Sequence, residues 1–146
     1  MLKIEVLRSD DDVTQIRVSG SNGRFAGAVN AYVSRGTLVH VAKDLDGFPK
    51  HVGDTRDVVL GAFGPRYAGG AVRLHFVCPD LAGHPRLDAE FEAEDHGPAF
   101  DGNPEYARVI IRFEVAAFDR FVSHLRTVGA GDAAGVAELR AVDSAV

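Results

Sequence analysis

In one segment of this sequence after another the apolar residues fall at every second position, and short clusters of turn-forming residues separate the segments. A chain of this kind builds sheet, with one side of each strand buried and the other facing water. Leu2, Ile4 and Val6 alternate with Lys3 and Glu5, and after Asp10, Asp11 and Asp12 the pattern resumes with Thr14, Ile16 and Val18, giving a first hairpin. Asn22-Gly23 then predicts a two-residue type I′ turn, since both residues accept a positive φ. The third strand should run through Phe25, Gly27, Val29 and Ala31, with Val18 opposite Gly27 and Ile16 opposite Val29.

Further strands are expected over residues 58–63, 71–78, 85–94 and 107–115. In the second and third of these, Val72, Leu74, Phe76 and Cys78 share a face with Leu87, Ala89, Phe91 and Ala93. Arg73 and His75 share the other face with Asp88, Glu90, Glu92 and Glu94, so opposite charges meet across a hairpin. The last strand carries the apolar Ile110 on its polar side, which predicts a central position in the sheet.

Twice the period changes from two to helical. Leu38, Val41, Ala42 and Leu45 predict a helix over residues 37–46, capped by Ser34 or Thr37 and ended by Gly47 with Pro49 beyond. Phe118, Phe121, Val122 and Leu125 predict a second over residues 118–128, closed at Gly129. Without alternating strand and helix units, the expected class is α+β. Residues 1–129 should form a single domain, a curved antiparallel sheet of six or seven strands with two helices, one after the third strand and one after the last. Residues 130–146 read as a flexible C-terminal tail.

Composition narrows the function classes. A chain of 146 residues with 46% hydrophobic side chains can bury one core, and a formal charge of -5 offers no general attraction to nucleic acid or anionic lipid. No apolar run approaches the roughly 20 residues a bilayer requires, and no signal-peptide pattern opens the sequence, so no membrane association and a cytoplasmic location are expected. The single cysteine, Cys78, forms no internal disulfide or thiolate cage and falls in phase with the apolar side of its strand, as a core residue. The serines lie in no nucleophile elbow, and no phosphate-binding glycine loop opens a helix. No catalytic residue, cofactor or metal is assigned.

Two polar features remain. Asp80 and His84 bracket a turn, with His75 near them in sequence. They read either as turn residues, the Asp accepting from its own backbone, or as a ligand or acid–base pair. Asp88, Glu90, Glu92, Glu94 and Asp95 concentrate negative charge on one strand and its exit. They read either as a solvated face that discourages edge pairing or as a docking surface for a basic protein.

Phe25-Ala26-Gly27, Leu45-Asp46-Gly47-Phe48-Pro49, Leu60-Gly61-Ala62-Phe63, Asp80-Leu81-Ala82-Gly83-His84, and Phe113-Glu114-Val115 leading to Phe118-Asp119-Arg120-Phe121 and Leu125 form a set of short motifs. In them the chain resembles a family of small uncharacterised bacterial proteins related to the immunity proteins of polymorphic toxin systems, the WapI type among them. The resemblance implies a toxin-neutralising or other protein-binding role and brings no catalytic residues with it. Non-catalytic binding to another protein, such as a toxin domain, is therefore the leading expectation. Its rivals are a small enzyme with a site near Asp80 and His84, and a carrier with an apolar cavity lined by Phe25, Phe76, Phe91 and Phe113. A homodimer formed through an exposed edge strand is also open.

Overall fold

The computed structural model of the chain describes residues 1–64, 69–80, 82, 84–94, 98–131 and 134–142. Its elements in order are β1 (Leu2–Ser9), β2 (Val13–Ser21), β3 (Ala26–Ser34), α1 (Thr37–Leu45), β4 (Thr55–Gly61), β5 (Ala71–Val77), β6 (Arg86–Glu92), β7 (Tyr106–Arg112), α2 (Val115–Ala130) and β8 (Gly135–Leu139). The class is α+β, as expected. The strands do not form one curved sheet, however. They form two antiparallel sheets of four strands, ordered β3-β2-β1-β8 and β4-β5-β6-β7.

The first hairpin pairs Ile4 with Val18 and Val6 with Ile16, then spends one extra residue, Leu7, in a bulge that leaves its side chain exposed. The second hairpin has the expected parity but lies two residues from the expected register, with Val18 opposite Val29 and Ile16 opposite Ala31. Asn22 is the reason. Its side-chain oxygen accepts from the N–H groups of Arg24 (2.9 Å) and Phe25 (2.8 Å), which widens the loop to four residues and leaves Phe25 62% exposed. A shift of two keeps the same residues inside, because the side-chain period is two.

The sheets meet at a corner where β3 crosses the second sheet. A Cβ on Gly27 would lie 2.8 Å from the Phe91 ring and 3.2 Å from Ala107; one on Gly70 would lie 2.7 Å from the Asn30 carbonyl; one on Gly61 would lie 3.2 Å from Ala31. Passing along β3 from residue 27 to residue 31, the contacts move from β7 and β6 to the start of β5 and then to the end of β4. Glycine lets the two backbones approach this closely.

The helices close the other side of the core. Leu38, Val41, Ala42 and Leu45 of α1 are buried as their spacing requires. Neither Ser34 nor Thr37 caps the helix: the N-cap is Gly36, at φ 90°, with no side-chain bond. Gly47, at φ 79°, ends the turn, and the Phe48–Pro49 peptide that follows is cis. Helix α2 begins earlier and ends later than expected. Gly129 lies inside it, where a Cβ would come within 2.9 Å of the Val39 nitrogen, so this glycine serves the crossing of α2 over α1 instead of terminating a helix. Phe118 of α2 packs against Phe48 (5.2 Å between centroids), Phe76 (5.3 Å) and Phe113 (5.5 Å), joining the helix to the second sheet.

Two further expectations are corrected. The strand at 107–115 is shorter and lies at the edge of its sheet; Ile110 is half-covered, and the Asn22 side chain reaches over to donate to its carbonyl (3.0 Å). The region from residue 130 is not wholly a tail, since residues 135–139 form β8, pair with β1 from Leu2 to Val6 and bury Ala137 and Leu139 completely. Consequently α2 follows the seventh strand and precedes the last. Residues 143–146 lie outside the described residues.

Candidate functional site

The antiparallel register stacks the outward side chains of the second sheet in rows. One row holds Asp57, His75, Asp88 and Ile110; the next holds Val59, Arg73, Glu90 and Arg108; the next ends in Glu92 and Tyr106. Each charge arrives at its place by period two along its own strand and by pairing across strands. The sequence reading found Arg73, His75, Asp88, Glu90 and Glu92 on this face. It missed Asp57, Arg108 and Tyr106, although the same alternation places all three on the polar side once the neighbouring strands are known.

The carboxylates are not a uniform acidic stripe. Arg108 donates to Asp88 through both Nε and Nη2, a two-pronged bond that holds the Asp88 carboxyl below its usual range and the guanidinium pKa above its own. Arg73 donates through Nε to both oxygens of Asp57 (3.0 and 3.3 Å), which raises its pKa, and approaches Glu90 at 4.0 Å. His75 Nδ1 lies 3.3 Å from the same Asp57 oxygen. At the Tyr106 phenol, lost hydration and then the hydrogen bond to Glu90 push the pKa up.

The remaining acids of the strand hold backbone. Glu92 accepts from the Gly64 N–H (2.9 Å), and Glu94 accepts from the Asn30 N–H (3.1 Å), tying the second sheet to β3. Asp95, the fifth acid of the candidate stripe, lies outside the described residues. At the far end of the face the sign reverses, with Arg86 directly opposite Arg112. The edges carry exposed apolar side chains, Val59 at 52% on β4 and Tyr106 at 56% on β7.

The second candidate is smaller. His84 Nδ1 lies 3.7 Å from Asp80, with the side chains 68% and 51% exposed, and Asp80 also accepts from the Ala82 N–H of its own turn (2.9 Å). His75 is not brought to this pair; its carboxylate partner is Asp57, and Asp88 is committed to Arg108. Of the four rings named for a carrier cavity, Phe76 and Phe113 pack edge to face at 6.1 Å, Phe91 is buried under Gly20 and Gly27, and Phe25 is exposed. A small pocket of about 30 Å³ lies elsewhere, among Val6, Thr14, Leu38 and Val128.

One buried acid went unnoticed in the sequence. Asp54 is 7% exposed, accepts from the Lys50 N–H (2.7 Å) and pairs with Arg56. Burial alone would raise its pKa, but the Lys50 and Arg56 bonds outweigh it and hold the carboxyl below its usual range. Arg56 also lies over the Phe48 ring at 5.7 Å, so the group fastens the segment between α1 and β4 to the core. Among the described residues no cluster of three or more His, Cys, Asp or Glu side chains could hold a metal ion. No helix of the described chain is long and apolar enough to cross a membrane. No family model, curated protein or solved structure matches this chain.

Proposed function

We propose that the chain is a non-catalytic protein-binding domain of the immunity kind, which neutralises a toxin domain by covering its working surface with the outer face of the second sheet. The observation that supports this reading is the set of charged pairs already formed across that face, Asp57 with Arg73 and Asp88 with Arg108. Side chains held before docking lose little rotamer freedom on contact, which lowers the cost of association. Carboxylates Asp57, Asp88, Glu90 and Glu92 are matched in number by guanidiniums Arg73, Arg86, Arg108 and Arg112. Arg86 and Arg112 stand together at one end, however, so the rest of the face carries the acidic excess and favours a basic surface of the partner there, with faster approach at low salt. Four strands spaced about 4.8 Å apart and seven residues long present roughly 300 Å² in projection. A stable complex covers about 800 Å² on each partner. The partner must therefore extend past Val59 and Tyr106 onto the flanking loops.

The test is capture of the tagged chain from lysate of the cells that encode it, repeated with Asp57→Lys/Glu90→Lys and with Val59→Ser/Tyr106→Ala. A stoichiometric toxin domain retained by the wild type and lost with both variants is the expected result. Equal retention by all three proteins, or recovery of the tagged chain alone, would overturn the reading.

A further inference from the structure

Strand β8 is the outer member of its sheet, and its free edge does not stand open to solvent on both sides. It forms one wall of a groove of about 530 Å³ whose other wall is α2, lined by Ala117, Arg120 and His124 from the helix and Val136, Glu138 and Arg140 from the strand side. The helix residues are three and four positions apart and lie along one side of α2.

The direction of the free backbone groups follows from the pairing. Ser21 donates to the Met1 carbonyl, so the odd-numbered residues of β1 bond to β2 and the even-numbered ones bond to β8. Leu2, Ile4 and Val6 face Leu139, Ala137 and Gly135, which spend their N–H and C=O groups on β1. The backbone groups of Val136 and Glu138 point the other way, into the groove, in the spacing that an added strand would match.

The charge of the groove selects what could be added. Arg120 and Arg140 are exposed and meet no carboxylate among the described residues, and His124 lies one turn from Arg120. The one acid lining the groove, Glu138, stands opposite Lys3 in the sheet. We infer that the β8–α2 groove takes an extended acidic peptide segment of a partner protein as an additional antiparallel or parallel strand, the backbone bonded to Val136 and Glu138 and the carboxylates against Arg120, His124 and Arg140. A second copy of this chain is disfavoured as occupant, because pairing two β8 edges would bring both sets of basic side chains together. This site lies on the first sheet and is independent of the face proposed above, whose failure would leave it standing.

The probe is a fluorescein-labelled ten-residue peptide of alternating Glu and Val, with the Lys-Val peptide as control, titrated with the full chain by anisotropy. Hydrogen exchange is read on the same samples. The Glu-Val peptide should bind, slow exchange at the amides of Val136 and Glu138, and lose at least tenfold in affinity with Arg120→Glu/His124→Glu. Glu138→Pro removes a groove-facing N–H, not one bonded to β1, together with the groove's one carboxylate, so it should leave the fold intact, checked by circular dichroism, and abolish the protection of the remaining Val136 amide. Equal binding of the Lys-Val peptide, no binding of either, or binding without protection at those two amides would overturn the proposal. So would a dimer in light scattering with both amides protected in the absence of peptide, which would assign the edge to a second copy.

Discussion

At the scale of single residues, the tightest constraint is the glycine corner over Phe91. A side chain at position 27 has nowhere to go, since its first carbon would lie 2.8 Å from a ring that is itself 2% exposed. Gly27→Val should cost about 1–3 kcal/mol of overpacking, measured by urea unfolding. Combining it with Phe91→Leu should recover part of that loss if the clash is the cause. Asp54 presents the opposite case, a charge buried with its partners. Asp54→Asn leaves Arg56 without its acid and weakens the bond from Lys50, and should destabilise by about 2–3 kcal/mol.

At the scale of elements, α1 and α2 touch where Gly129 meets Leu38 and Val39. Gly129→Leu should push the helices apart and lower the thermal midpoint by several degrees, a change of about 1–3 kcal/mol in a domain of this size. Removing residues 135–142 should do more. It strips β1 of a partner strand along its buried half, and the chain should lose cooperative unfolding in calorimetry, an outcome a mobile tail would not produce. The helices and most strands were legible in the sequence because their periods differ and their apolar residues seldom break phase. Strand β8 was not legible: in Gly135–Leu139 only Ala137 and Leu139 face inward, and so short an alternation has meaning only beside the strand that receives it. Ile110 misled for a related reason. An apolar residue on a polar side does not by itself require a strand on each flank, and at the outer edge of β7 the Ile110 carbonyl is met by the Asn22 side chain instead.

At the scale of the whole molecule, the division into two sheets was hidden because period two specifies which face of a strand is buried and is silent on which strand lies beside it. The candidate face was legible in half: that Arg73 and His75 share a face with Asp88, Glu90 and Glu92 could be read from the alternation, whereas which of them stand opposite one another is set by a register that period two leaves open, and Asp57 and Arg108 arrive from strands flanking that hairpin. Its Asp88–Arg108 pair and the separate Asp54–Arg56 pair set a pH dependence. The carboxyls of Asp88 and Asp54 are depressed in the folded chain, so their contribution is complete above the unfolded value of about 3.9 and is lost as pH falls through the folded values. Urea midpoints should therefore hold steady down to about pH 5 and drop below about pH 4. The Asp88→Asn variant should show a shallower acid drop, with Arg108→Gln matching it.

The pairing of β1 with β8 also governs when this domain can come into being. As the chain is synthesised, β1 is held on one side by β2 soon after both have emerged, while its other edge waits through the synthesis of both helices and the entire second sheet for residues 135–139. Throughout that interval Leu2, Ile4 and Val6 sit on a sheet with an unfinished edge, a surface that any extended apolar segment could join. A pause or a premature stop ahead of position 135 thus yields a chain with nearly all of the core residues of this domain and a sticky margin, so the quality of this protein in the cell should depend on the uninterrupted delivery of β8.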